Sequence, residues 1–136
     1  MTRIRVGCDL VSVAEVGRSI ELFGQRYLRR VYTEAELAAC TGPTRVHRLA
    51  ARFAAKEATA KVLGELDGPL PWHTIEVRAD PSGRPELALS GHAAALATAQ
   101  RLADFDVSLS HEGGLAMAMV VASAGAAGGR SGGRNR

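Results

Sequence analysis

The pattern of hydrophobic and polar positions at the start of the chain predicts a strand followed by a helix. Residues 4–10 alternate and then become continuously apolar, which is typical of a β-strand, and Asp9 lies at its end. Residues 13–31 then repeat apolar side chains at helical spacing. Glycine has a poor helix propensity, so we expect this helix to break near Gly24.

Two further helices are predicted before the middle of the chain. Thr33 and Glu36 form a capping-box pattern, which should begin a short helix that ends before the Gly-Pro pair at 42–43. Residues 44–63 are the strongest helical segment, and Gly64 is well suited to end that helix.

The second half of the chain predicts two β-hairpins on either side of an alanine-rich helix. Residues 66–72 contain two prolines and read as a loop. We expect Ser90 to cap the helix, which should run to about Leu102. Turn residues bound the four predicted strands, which are 74–78, 86–89, 106–110 and 115–122.

These elements predict an α+β fold in which a small antiparallel sheet packs with a long central helix. The length of 136 residues suits one domain, which we place at residues 1–123. Residues 124–136 are rich in glycine and arginine and have little to bury, so they are predicted to be a disordered tail.

Composition narrows the functional classes only slightly. The net charge is +3, and arginines crowd the segment 18–30. That segment suits an acidic partner or is simply a solvated helix face, and charge alone leaves both interpretations open. The two cysteines are far apart and predict no zinc site. The chain shows neither a signal peptide nor an apolar run that could span a membrane, so a cytoplasmic location is expected.

The chain lacks the common phosphate-loop, dinucleotide, nucleophile-elbow and metalloprotease motifs. Three segments with polar residues remain as candidates for chemistry. Asp9 interrupts an apolar run, where it caps the next helix, forms an ion pair or binds a metal. Glu57 and Lys61 share a helix face, as an exposed ion pair or as part of a site. His111 ends a strand at a turn, where it is structural or binds phosphate.

Together these segments resemble the holo-acyl-carrier-protein synthase family of phosphopantetheinyl transferases. The family's ordered motifs match G-x-D at 7–9, R-F-A-A-K-E-A-x-x-K at 52–61, W-x-x-I-E-V with G-R-P between 72 and 85, and S-x-S-H at 108–111. The second motif is the specific one. Because order and spacing agree over roughly residues 4–122, chance is an unsatisfactory explanation.

The resemblance implies a reaction and a metal. In that family the two carboxylates bind Mg²⁺, which makes Asp9 and Glu57 the expected ligands. A carrier serine attacks the β-phosphorus of coenzyme A and expels 3′,5′-ADP, while Lys61 stabilises the leaving group. Proton removal falls to a metal-bound water or to a carboxylate of the site, and the sequence leaves both open.

The resemblance also implies binding surfaces. The family's coenzyme A site forms between protomers of a trimer, so a homotrimer is expected. Its coenzyme A contacts map onto Arg52, Lys61, Gly83, Arg84, Pro85, Ser110 and His111. Basic side chains bind the acidic acyl carrier protein, here Arg18, Arg26 and Arg30. Many members carry an arginine where this chain has Glu15, which leaves its carrier preference open.

Three alternatives remain at this point. A basic nucleotide- or RNA-binding module would need stacking aromatics, and the chain has only one Trp, two Tyr and three Phe, so a nucleic acid is not the expected partner. A membrane is not expected either, because no apolar run is long enough to span one. An inactive member is disfavoured because Asp9, Glu57 and Lys61 are all present. The same chemistry on a polyketide or peptide-synthase carrier, rather than a fatty-acid carrier, stays open.

Overall fold

A computed structural model describes residues 3–64 and 70–125. The first half contains a strand and four helices: β1 (Arg3–Ser12), α1 (Val13–Phe23), α2 (Gln25–Val31), α3 (Glu34–Ala39) and α4 (Arg45–Leu63). The predicted break is confirmed at Gly24, whose φ of 53° is open to glycine at little cost. The capping box is also confirmed, because the side chains of Thr33 and Glu36 each accept a hydrogen bond from the other's backbone N–H.

The second half begins with a short 3₁₀ turn at Trp72–Thr74. It continues with β2 (Ile75–Ala79), β3 (Pro85–Leu89), α5 (Gly91–Ala99), β4 (Leu102–Glu112) and β5 (Leu115–Ala124). The prediction that α5 runs to Leu102 was wrong, because Arg101 has a left-handed φ of 57° that a helix cannot continue through. Ser90 occupies the N-cap position, but its side chain makes no capping hydrogen bond.

The strands form two separate antiparallel sheets among the described residues. One has the order β1-β5-β4 and the other is the β2-β3 hairpin. A two-residue turn at Gly113 and Gly114 joins β4 to β5, and both glycines have the positive φ that such turns require. The observed connection is therefore two residues long, which is shorter than the four-residue loop predicted there. The α+β class is confirmed, with α4 packed across the three-stranded sheet.

Small side chains determine how closely α4 approaches the sheet. Ala54, Ala55 and Ala58 on the helix are fully buried, as are Ala116 and Ala118 on β5. The opposite face of the same sheet is apolar but exposed, with large side chains at Ile4, Val6, Leu10, Leu115 and Met119. One face of the sheet thus builds the core, and the other has no covering layer among residues 3–64 and 70–125.

Within residues 3–64 and 70–125, none of the helices has the length and apolar character needed to cross a membrane. The predicted disordered tail, apart from its first two residues, and most of the predicted loop at 66–72 lie outside the described residues.

Candidate active site

The site begins with an unusually close contact between β1 and α4. A Cβ added to Gly7 would lie 2.2 Å from the carbonyl oxygen of Ala58, so only glycine fits at this position. Asp9 lies two residues beyond Gly7 on the same face of β1. Glu57 is adjacent to Ala58 on α4. The close approach of the two backbones therefore brings these carboxylates together.

Asp9, Glu57 and Lys61 form one cluster. The ammonium of Lys61 donates to Asp9 Oδ1 at 2.9 Å and to the Cys8 carbonyl oxygen at 2.9 Å. Burial, together with a hydrogen bond and repulsion from Asp9, raises the pKa of Glu57 to about 7, which Lys61 only partly offsets. Two carboxylates this close resist ionising together, and perturbed groups of this kind cluster at functional sites.

The structure shows which partners Asp9 and Lys61 have. The cap of α1 is the Ser12 side chain, which accepts from the Glu15 backbone N–H at 3.2 Å, so Asp9 is not the capping residue. Lys61 is paired with Asp9 across two elements instead of acting only as the helical neighbour of Glu57. Asp9 is therefore the ion-pair partner of Lys61, and Glu57 lies beside that pair.

The oxygen donors of this cluster suit Mg²⁺. That ion prefers hard oxygen ligands and is typically held by one or two carboxylates, with the rest of its coordination supplied by water and substrate phosphates. In the part of the chain that the structure describes, no group of three or more acidic, cysteine or histidine side chains could hold a metal. A pair of carboxylates fits a metal that is shared with a bound phosphate.

A basic cavity of about 630 Å³ lies farther towards the start of α4. Its three walls are the start of α4, the β2-β3 hairpin and the β4-β5 turn. Four of the residues predicted to bind coenzyme A line this cavity: Arg52, Gly83, Pro85 and His111. None of the described lining residues is acidic, so the cavity favours an anionic ligand.

Arg52 gives the most specific indication of what the cavity binds. Its side chain is buried, and its Nε is an unpartnered buried donor. A buried polar group without a partner is costly, and such groups call for an explanation. Because Arg52 also lines the cavity, its guanidinium charge favours an anion bound there.

The sequence analysis missed three basic residues of this cavity, His47, Arg48 and Arg78. Arg48 lies four residues before Arg52 on α4, and that spacing was a usable signal for a shared basic face. His47 and His111 are ring neighbours with centroids 6.2 Å apart. No local pattern could have shown that contact, because it joins α4 to the end of β4.

Three predicted coenzyme A contacts do not line the cavity of this chain, and one of them, Lys61, belongs to the carboxylate cluster instead. Arg84 is exposed and forms an ion pair with Asp106 at 3.3 Å. Ser110 is exposed and, by the alternation of side chains along β4, lies on the opposite sheet face from His111. Their roles stay predictions.

The predicted docking residues lie on α1 and α2. Arg18, Arg26 and Arg30 are all exposed. Between them, Leu22 and Phe23 are also exposed, so the surface combines positive charge with apolar area. Glu15 lines a second recess, of about 510 Å³, that also includes Glu57. The position at which the chain departs from its family pattern is therefore beside the carboxylate pair.

This fold, with a carboxylate pair close to a basic cavity, matches the 4′-phosphopantetheinyl transferase superfamily, whose family model covers residues 5–120. The chain belongs to the holo-[acyl-carrier-protein] synthase family within it.

Relatives found by sequence and relatives found among solved structures both support that assignment. The synthase of Chloroflexus aurantiacus is 47% identical over 133 residues, covering 88% of this chain and 97% of that protein. The structure of the Neisseria meningitidis synthase is 33% identical with a TM-score of 0.77, covering 86% of this chain and 95% of that one. The Helicobacter pylori synthase in complex with coenzyme A is 28% identical with a TM-score of 0.77, covering 87% and 99%.

Proposed function

We propose that this protein transfers 4′-phosphopantetheine from coenzyme A to a serine of an apo acyl carrier protein in a Mg²⁺-dependent reaction. The observation that carries the proposal is the meeting of Asp9 and Glu57, with Lys61 bound to Asp9 at 2.9 Å. The basic cavity supports it, because coenzyme A carries a diphosphate and a 3′-phosphate that need cationic partners. The products are holo carrier and 3′,5′-ADP.

The oxygens of Asp9 and Glu57 would hold Mg²⁺. The bound ion would neutralise charge on the diphosphate that is attacked. Lys61 is half exposed and can reach that diphosphate from its position beside Asp9, where its charge stabilises the leaving group. Both carboxylates and the ammonium therefore act on the same phosphate oxygens.

The cavity would bind the nucleotide end of coenzyme A. Arg52 would place its guanidinium charge beside a phosphate, and Gly83 with Pro85 would form the wall against which the nucleotide lies. Glu57 lies five residues after Arg52, about 7.5 Å along the axis of α4. A nucleotide in the cavity therefore extends its diphosphate along the helix towards the carboxylates.

The chemistry is one displacement at phosphorus. The serine hydroxyl oxygen forms a bond to the β-phosphorus of coenzyme A, and the bond from that phosphorus to the bridging oxygen breaks. The serine proton passes to a base of the site, either a carboxylate or a water molecule, and the bridging oxygen leaves with the bonding electrons on 3′,5′-ADP. Positioning and charge stabilisation supply most of the rate enhancement in such phosphoryl transfers.

We also propose a homotrimer that buries the outer face of the three-stranded sheet. Ile4, Val6 and Leu10 on this face are 70%, 60% and 61% exposed. A contiguous apolar surface of this kind usually marks an interface. Ser110 lies on the same face, so in the assembly it would approach the coenzyme A site of a neighbouring protomer.

The carrier would dock on the exposed arginines of α1 and α2, Arg18, Arg26 and Arg30. Positive charge there suits an acidic carrier, and such surface charge acts mainly on encounter rate and register. We place the reaction in the cytoplasm, where it would serve fatty acid synthesis. This location is supported by the free thiols of Cys8 and Cys40, since reduced cysteines are typical of that compartment.

Intact-mass spectrometry of a carrier tests the proposal. An apo carrier incubated with the protein, coenzyme A and Mg²⁺ should gain the mass of phosphopantetheine, and EDTA should prevent the gain. Several carriers, from fatty acid, polyketide and peptide synthases, should be compared. The proposal fails if no carrier is modified at micromolar enzyme, and its Mg²⁺ requirement fails if EDTA has no effect.

A further inference from the structure

The proposed reaction gives no role to the best-buried charged pair in the described residues. Lys56, next to Glu57 on α4, is 0% exposed, and its partner Glu36 on α3 is 1% exposed. Burying two charges costs more than their attraction returns unless every donor and acceptor is satisfied. The pair therefore needs an explanation that goes beyond stability.

Every donor of Lys56 is used. Its ammonium has three N–H groups, which reach Glu36 Oε1 at 2.8 Å, the Trp72 carbonyl oxygen at 3.0 Å and the Ile75 carbonyl oxygen at 2.5 Å. The two carbonyls belong to the 3₁₀ turn and to the first residue of β2. One side chain of α4 thus binds the entry of the β2-β3 hairpin.

Glu36 completes the connection from α3. Its Oε2 accepts from the Val77 backbone N–H at 2.8 Å, and its Oε1 accepts both Lys56 and the Thr33 backbone N–H. Val77 lines the basic cavity. The ion pair is therefore bonded directly to the backbone of one cavity wall.

That wall is also bonded to α3, because the Thr33 hydroxyl donates to Glu76 Oε2 at 2.5 Å, but this bond does not reach α4. The β2-β3 hairpin shares no ladder hydrogen bonds with the three-stranded sheet. Its ion pair with the sheet, Arg84 to Asp106, is exposed at 3.3 Å, and such pairs contribute little. The opposite wall is α4, where Arg52 lies one turn before Lys56. The distance between the two walls thus depends on the buried pair.

We propose that Lys56 is a positioning residue that holds the β2-β3 hairpin against α4 and so sets the width of the coenzyme A cavity. The inference rests on the proposed function in that it takes coenzyme A as the ligand of the cavity. Lys56 acts through the hairpin and does not touch the substrate.

A paired substitution provides the test, because Lys56→Met alone strands the buried Glu36 carboxylate and can prevent folding. The double variant Lys56→Met with Glu36→Gln keeps side-chain size and removes both charges. We expect its KM for coenzyme A to rise at least tenfold, while the KM for carrier changes less than twofold and kcat at saturating coenzyme A less than tenfold. Hydrogen exchange in residues 75–89 should speed up in parallel.

A matched control separates positioning from loss of stability. Leu102→Ala removes a buried side chain at the end of β4 farthest from His111, so it should lower the melting temperature without changing the coenzyme A KM. A folded double variant whose coenzyme A KM stays within twofold of wild type overturns the proposal. If the wild-type chain itself binds no coenzyme A, the proposed function fails. The positioning role of Lys56 is then tested by hydrogen exchange alone. Unchanged protection of the Val77 amide in the double variant overturns it.

Discussion

Gly7→Ala is the smallest change that should separate the two carboxylates without altering either of them. Glycine at this position lets β1 lie directly against the backbone of α4. An added Cβ would be 2.2 Å from the Ala58 carbonyl oxygen and 3.0 Å from Val62 Cγ2. The first contact is with helix backbone, which cannot rotate away as a side chain can.

The size of the effect follows from that distance. Carbon and oxygen reach ordinary contact at about 3.4 Å, so strand and helix must move apart by about 1 Å. Overpacking of this kind costs about 1–3 kcal/mol, which lowers the melting temperature by roughly 3–15 °C. A displacement of about 1 Å at the reacting groups can lower the rate about 100-fold. Since Asp9 and Glu57 lie on the two sides of the contact, we expect both losses.

Mass spectrometry of holo-carrier formation measures the loss of rate, and a thermal melt measures the loss of stability. The control is Gly17→Ala on α1, where the nearest atom to an added Cβ is Val46 Cγ1 at the ordinary distance of 3.7 Å. That change should leave the rate unaltered and stabilise the helix by about 0.5–1 kcal/mol. If Gly7→Ala kept near-normal kcat while folded, the close approach would not be what positions the carboxylates.

Other variants test the remaining surfaces. Arg52→Gln should raise the KM for coenzyme A about tenfold or more in steady-state assays, because it removes a charged hydrogen-bond donor from the cavity; an unchanged KM contradicts this. Replacing Arg26 and Arg30 with Glu should raise the carrier KM in low salt but not in high salt, and leave the coenzyme A KM unchanged. Glu15→Arg should improve carrier binding by about 1 kcal/mol or less. Val6→Asp should give monomers in light scattering, and an intact trimer would place the interface elsewhere.

Local sequence signals predicted most of the elements correctly. The break at Gly24, the Thr33–Glu36 capping box and the end of α4 at Gly64 each depend on residues close in the chain, so their chemistry is visible locally. The end of α5 was misplaced because Arg101 adopts a left-handed φ of 57°, which no side-chain pattern announces.

The site was less accessible to such reasoning, because its contacts are non-local. Spacing could not show that Asp9 meets Glu57, and the family resemblance supplied that pairing. The reason for Gly7 is a contact with Ala58 on another element, which is invisible in the sequence. Lys56 is charged and would be expected on a solvated face. Its burial depends on Glu36 and two backbone carbonyls that only the folded chain brings together.

We expect transfer from coenzyme A to the carrier to depend on the Asp9–Glu57 pair. The most direct measurement is the rate of holo-carrier formation by Glu57→Gln at saturating coenzyme A and Mg²⁺, beside wild type. The substitution keeps size and helix propensity, so the melting temperature should hardly change. The carboxylate is expected to lower the activation free energy by several kcal/mol through the charge it helps to stabilise. Its loss should therefore lower kcat about a thousandfold. A folded Glu57→Gln enzyme within tenfold of the wild-type rate would contradict the account.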